Sequence, residues 1–124
     1  MNDHPPEVIQ KFRKIGVGNI CISSITVSEL QYGACKSKQL KKNSKRLEEF
    51  LVPFAIISYD EGAANYYGKI CSSLEKQGNI IGPLDMLIAA HALSENLTLI
   101  TNNEKEFKRI KSLKIKNWVT RQLK

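Results

Sequence analysis

Three short stretches place an acid where a helical pattern opens. The apolar run Ile20-Cys21-Ile22-Ser23-Ser24-Ile25 leads into Thr26-Val27-Ser28-Glu29. Gly82-Pro83-Leu84-Asp85 opens another pattern, and Leu97-Thr98-Leu99-Ile100-Thr101 leads into Asn102-Asn103-Glu104-Lys105-Glu106. Singly, these acids read as helix caps. Thr26 with Glu29, and Asn103 with Glu106, have the spacing of a capping box, and Asp85, just after Pro83, suits the positive end of a helix dipole. Together they read as a site. In a parallel sheet, strand ends and the helix starts that follow them gather on one edge. Carboxylates converging there repel one another unless a cation joins them. Oxygen ligands with water positions left open suit Mg²⁺ or Mn²⁺. Such a cluster can activate water and stabilise the charge that develops in phosphodiester cleavage.

The elements that would position these acids follow from hydrophobic spacing. Pro5 and Pro6 open a helical pattern (Val8, Ile9, Phe12, Ile15) that Gly16 stops. A buried strand over residues 20–25 comes next, then helices over 26–34 and 40–51, the latter ended by Pro53. Residues 55–59 read as a strand, 60–77 as a long helix closed by Gly78, and 83–93 as an apolar helix. A strand over 97–101, a short helix over 104–110 and a strand over 114–118 complete the chain. Strands alternating with helices predict one α/β domain over residues 1–124, on a mostly parallel sheet flanked by helices.

Length and composition fit a single globular domain: 124 residues, 42% hydrophobic and 25% charged. Lys and Arg number 19 against 12 Asp and Glu, an excess that suits a polyanion such as nucleic acid or an acidic protein. The basic residues crowd between Lys36 and Arg46, which reads either as a solvated face or as an edge that meets a phosphate backbone. Tyr32, Tyr59, Tyr66, Tyr67 and Trp118 could stack on bases or pack; Tyr67 and Trp118 read as packing residues, and Tyr32 is open to either role. Cys21, Cys35 and Cys71 match no zinc spacing, and a reducing cytoplasm suits them. The opening residues lack the apolar core of a signal peptide. No apolar stretch approaches the ~18 residues of a spanning helix, so no membrane partner is expected.

The words around the acids carry a family resemblance. ISSITVSELQYGACKS resembles the VapC-type segment in which a strand ending in Ser-Ser leads into Ser-Glu-Leu-x-Tyr-Gly. IGPLDMLIAAHAL resembles that family's Gly-x-x-Asp-x-x-Ile-Ala-x-His-Ala segment, and LTLITNNEKEFKRIKSLKIKNW its closing segment. Their order and spacing match from about Pro5 to Trp118. The resemblance implies a PIN domain acting as a metal-dependent endoribonuclease: a type II toxin held by a VapB-type antitoxin, paired as a homodimer, cutting RNA, with tRNA a frequent family substrate. It further implies that Asp85 is a direct metal ligand, that Glu29 is a ligand or a base positioning water, and that Glu106 acts directly or through water. Asn103 would be an auxiliary polar group, and Ser24 and Thr101 small hydroxyl residues near the site. His91, almost two helical turns beyond Asp85, reads as a packing or hydrogen-bonding residue.

One departure stands at the start. The family opens with a central strand carrying Leu-Asp-Thr-Asn, and Met1-Asn2-Asp3-His4-Pro5-Pro6 matches the region after that strand. Asp3 precedes a Pro-Pro turn and does not end an apolar strand. The resemblance therefore implies a fold without that strand, whose absence would leave interior edges unpaired. It also implies a site without its first aspartate, and so a poor or inactive nuclease. Two readings compete with an active ribonuclease: a non-catalytic module that still binds its antitoxin, and an unrelated basic α/β domain with well-capped helices.

Overall fold

Both strand pairs in the described part of the chain run parallel, and each closes over intervening helices. The computed structural model describes residues 16–117. The expected Pro5–Gly16 helix, Asp3 and Trp118 lie outside those residues, apart from Gly16 itself. The described chain forms two compact units that divide after Ser58.

The first unit opens with a single 3₁₀ turn, Val17–Asn19, closed by Asn19 N–H donating to the Gly16 carbonyl at 3.0 Å. Gly16 sits at φ +85°, a left-handed conformation that favours glycine. Strand β1 (Cys21–Ser23) leads into helix α1 (Ser24–Cys35). The Ser23 hydroxyl accepts from the Ile25 backbone N–H at 3.0 Å, so Ser23 is the N-cap. The helix thus begins two residues before the expected Thr26. That start overturns the Thr26–Glu29 capping box: Glu29 lies in the second turn, too far along to reach the cap.

Helix α2 (Leu40–Leu51) runs over the expected residues, and its amphipathic pattern buries Leu47 to 1% exposure. Phe50 and Phe54 stack across its end, with ring centroids 5.3 Å apart. Strand β2 (Ala55–Ile57) pairs parallel with β1, with Cys21 opposite Ala55 and Ser23 opposite Ile57. A parallel pair needs a long crossover, and α1 and α2, packed together, supply it.

The second unit is built on helix α3 (Glu61–Gln77) and helix α4 (Pro83–Ser94). Asp60 caps α3 through its Oδ1, which accepts from Ala63 N–H at 3.0 Å. Gly78 ends that helix at φ +69°, and Asn79 N–H returns to the Leu74 carbonyl at 2.8 Å, the geometry of a left-handed C-cap. Pro83 is the first residue of α4, where its missing N–H costs nothing. Met86, Ala89, Ala90 and Ala92 of α4 are buried against Ile70 and Leu74 of α3 and against Phe107, Ile110 and Leu113. The small alanines let the two helices approach closely.

Strand β3 (Leu99–Ile100) and strand β4 (Ile115–Lys116) pair parallel around the short helix α5 (Glu104–Phe107). The strand expected over 97–101 is shorter because Leu97 N–H is spent closing α4, donating to the Ala92 carbonyl at 2.9 Å. Among the described residues the strands form two separate two-stranded ladders, β1–β2 and β3–β4, each within its own unit.

Candidate acidic site

The second unit gathers Asp85, Asn103 and Glu106. Asp85 is the third residue of α4, placed by the Gly82-Pro83 start; the Met86 N–H makes the first helical bond to the Gly82 carbonyl at 2.9 Å. Met86, next along, is 2% exposed and anchors the turn. Asn103 follows β3. Its backbone N–H donates to Thr101 Oγ1 at 3.0 Å, a local turn that directs the chain away from the strand. Its side-chain Nδ2 donates to Asp85 Oδ2 at 3.3 Å. Glu106 sits on α5, held by its buried neighbour Phe107, 3% exposed.

This arrangement overturns the second expected capping box. Asn103 occupies the N-cap position of α5 but makes no side-chain cap bond; its amide is committed to Asp85. Asp85 does fall in the first turn of its helix, as expected.

Burial first, then the negative charge of Glu106 and a side-chain hydrogen bond with it, push the Asp85 carboxyl above the usual carboxylate range. The Asn103 amide opposes them by favouring the charged form. Glu106 thus lies close enough to Asp85 for its charge to oppose ionisation of that carboxyl. The oxygens of Asp85 and Glu106, once ionised, are hard donors of the kind a small divalent cation takes. Mg²⁺ is commonly held by one or two carboxylates with water filling the rest of its shell, and this donor set fits that pattern. Among the described residues no three His, Cys, Asp or Glu side chains form a group able to hold a metal.

Ser24 and Glu29 belong to the first unit, on α1, with Glu29 exposed. The expectation of an impaired site turns on residues before Gly16, outside those described. His91 is 1% exposed and meets the Tyr59 ring edge-on, with centroids 5.5 Å apart, the packing role its position suggested. A hydrogen bond that sequence reasoning missed steadies the site. Asn117 Nδ2 donates to Glu104 Oε2 at 3.0 Å, tying α5 to the end of β4 and leaving Glu106 as the acid beside Asp85. Nothing in the spacing of Asn117 signals this bond.

Parallel strand pairs, helical crossovers and half-buried carboxylates at helix starts define the class: a small α/β domain built around an acidic site. The model of the PIN domain matches residues 2–113. Ribonuclease VapC2 of Rickettsia felis is 45% identical over 119 residues, covering 95% of this chain and 89% of that protein. The tRNA(fMet)-specific endonuclease VapC of Shigella flexneri is 38% identical, with 95% and 89% covered. Among solved structures, VapBC2 from Rickettsia felis bound to a DNA fragment from its promoter superposes with a TM-score of 0.89 at 46% identity, covering 94% of this chain and 89% of that one. DNA-bound VapBC from Salmonella typhimurium gives 0.90 at 38% identity, with 94% and 88% covered. The chain belongs to the PIN-domain family, among its VapC ribonucleases.

Proposed function

We propose that this chain is a metal-dependent endoribonuclease, the toxin of a type II pair, held inactive by a VapB-type antitoxin. The observation that carries the reading is the Asn103–Asp85 hydrogen bond, with Glu106 near enough to raise the Asp85 carboxyl. It is supported by the ribonuclease names of relatives that match nearly the whole chain and by solved relatives that are VapBC complexes.

In this reading Asp85 is the direct ligand of Mg²⁺ or Mn²⁺, and Glu106 contributes directly or through a water. The family resemblance gives Glu29 the role of a further ligand or of the base that positions the attacking water, and gives Ser24 and Thr101 auxiliary hydroxyl roles. Asn103 orients the Asp85 carboxylate and favours its ionised form. When bound, the cation lowers the pKa of a coordinated water and offsets charge on the scissile phosphate. The tRNA(fMet) specificity in the name of the Shigella flexneri relative makes tRNA the first substrate class to try.

The test is cleavage of a total tRNA pool by the purified chain with Mg²⁺ or Mn²⁺, with chelator and with Asp85→Asn as controls. Cleavage that chelator abolishes, and that Asp85→Asn lowers at least about a hundredfold, supports the reading. No cleavage with either metal, or cleavage indifferent to Asp85, overturns it.

A further inference from the structure

The basic residues of this chain fall in runs along the sequence. Of the 19 Lys and Arg, six lie between Lys36 and Arg46; the remaining 13 nearly balance the 12 acids. Seven more run from Lys108 to Lys124, partly outside the described residues; the run from Lys36 to Arg46 lies wholly within them. No Asp or Glu stands between Glu29 and Glu48 to neutralise it locally.

The structure gives that segment a defined form. It spans the turn from α1 into α2 and the first half of α2. Lys36, Lys38, Lys41, Lys42 and Lys45 are all exposed. The turn is pinned from both sides. Ser37 N–H donates to the Ala34 carbonyl at 3.3 Å, and Asn43 Nδ2 donates to Ser37 Oγ at 2.9 Å. Leu47, on the opposite face of α2, is buried and fixes which side of the helix faces out. Lys41 and Lys45 stand one helical turn apart, so their ammonium groups share a face.

Beside this face stands Tyr32, 66% exposed, with the Lys36 Nζ 5.0 Å from its ring centroid. A large aromatic left in water among cations is an arrangement single-stranded nucleic acid uses: lysines meet successive phosphates while a ring offers a surface on which a base stacks. An anionic membrane or an acidic peptide would use the charge but gives no role to the exposed ring.

We propose that the α1–α2 turn and the outer face of α2 form an RNA-docking surface, with Lys38, Lys41 and Lys42 on the phosphates and Tyr32 under a base. The choice of RNA among polyanions rests on the ribonuclease reading; the surface itself rests on charge placement and the Tyr32–Lys36 pair.

Binding of a fluorescent single-stranded RNA to the full chain carrying Asp85→Asn, which keeps the probe intact, tests it across a range of salt concentrations. Lys38→Gln/Lys41→Gln/Lys42→Gln in that background should weaken binding about tenfold or more and lower the slope of log Kd against log salt by about 2, at roughly 0.7 for each phosphate no longer neutralised on a single strand. The corresponding triple Arg variant should restore both. Tyr32→Ala should weaken binding with the salt slope intact, because stacking releases no counterions. Unchanged affinity and slope in the Gln variant, with an unchanged melting temperature, overturns the proposal. Tighter capture of poly-glutamate or of anionic vesicles than of RNA, lost in the same variant, also overturns it. Failure of the ribonuclease reading would show separately, as absence of metal-dependent cleavage by the wild-type chain, while lysine-dependent RNA binding would still support the surface.

Discussion

Asp85 is held in an environment that works against its own ionisation, and the consequence can be measured. Below the ordinary carboxylate range it is protonated in both the folded and the unfolded chain, and its burial carries no electrostatic cost. As pH rises, the unfolded chain ionises first, and the fold loses stability until pH passes the raised pKa of the folded state. Asp85→Asn removes this loss. The new amide can donate to Glu106 while its carbonyl accepts from Asn103, reproducing the protonated form. The variant should therefore melt higher than wild type at neutral pH, with the difference vanishing in acid, while cleavage is lost; thermal melts across pH would show this. An equal melting difference at every pH would mean that the Asp85 charge is not its source. Asn103→Ala acts in the other direction on the same carboxyl. With the donor that favours the charged form gone, the acidic limb of the cleavage pH profile should move to higher pH. Divalent-metal affinity should fall by about ten- to a hundredfold. An unmoved pH profile would show that Asn103 does not tune Asp85.

Helix ends decide where these side chains arrive. Ser23, Asp60 and Gly78 each close a helix through a hydrogen bond seen in the structure. Asp60→Ala should lower stability by about 1 kcal/mol, since the Ala63 N–H then loses its partner. Gly78→Ala should cost about 1 kcal/mol through the left-handed backbone alone, because a Cβ there meets no atom within 4 Å. Urea unfolding of both variants checks these values, and a neutral Gly78→Ala would mean that the C-cap is not strained by a side chain. The helices on which these caps sit were legible from spacing. Residues 40–51 and 61–77 are helical as their apolar periodicity and their closing Pro53 and Gly78 predict. The caps themselves were less legible. Thr26–Glu29 and Asn103–Glu106 both have capping-box spacing, yet Ser23 starts one helix earlier and Asn103 turns its amide to a residue 18 positions away. A local pattern competes with tertiary partners it does not encode.

At the scale of the whole molecule, cation binding and folding are coupled. A cation held by Asp85 and Glu106 binds the folded chain better than the unfolded one, and so stabilises it by mass action. The gain is about 2.7 kcal/mol at a hundredfold excess over Kd. Because the cation competes with protonation of the raised Asp85 carboxyl, the gain should grow as pH rises. Melting temperatures with and without Mg²⁺ or Mn²⁺, taken at several pH values, test this. A shift that is constant with pH would argue against binding at the Asp85–Glu106 pair, and no shift would argue against binding there at all.

The sequence alone determined the alternation of strands and helices, the parallel direction of the strand pairs and the family words around Glu29, Asp85 and Glu106. These follow from short-range spacing, since a helix or strand repeats its apolar positions within a few residues. It also located the basic run from Lys36 to Arg46, because charge is a property of composition along the chain. Only the tertiary structure decided what the acids at the helix starts do. Burial and the Glu106 charge raise the Asp85 carboxyl, and Asn103 serves Asp85 in place of its own helix, because α4 and α5 pack on a common core and bring half-buried polar groups within hydrogen-bonding reach. Capping explains why an acid is tolerated at a helix start; burial beside a second carboxylate makes one of them a site.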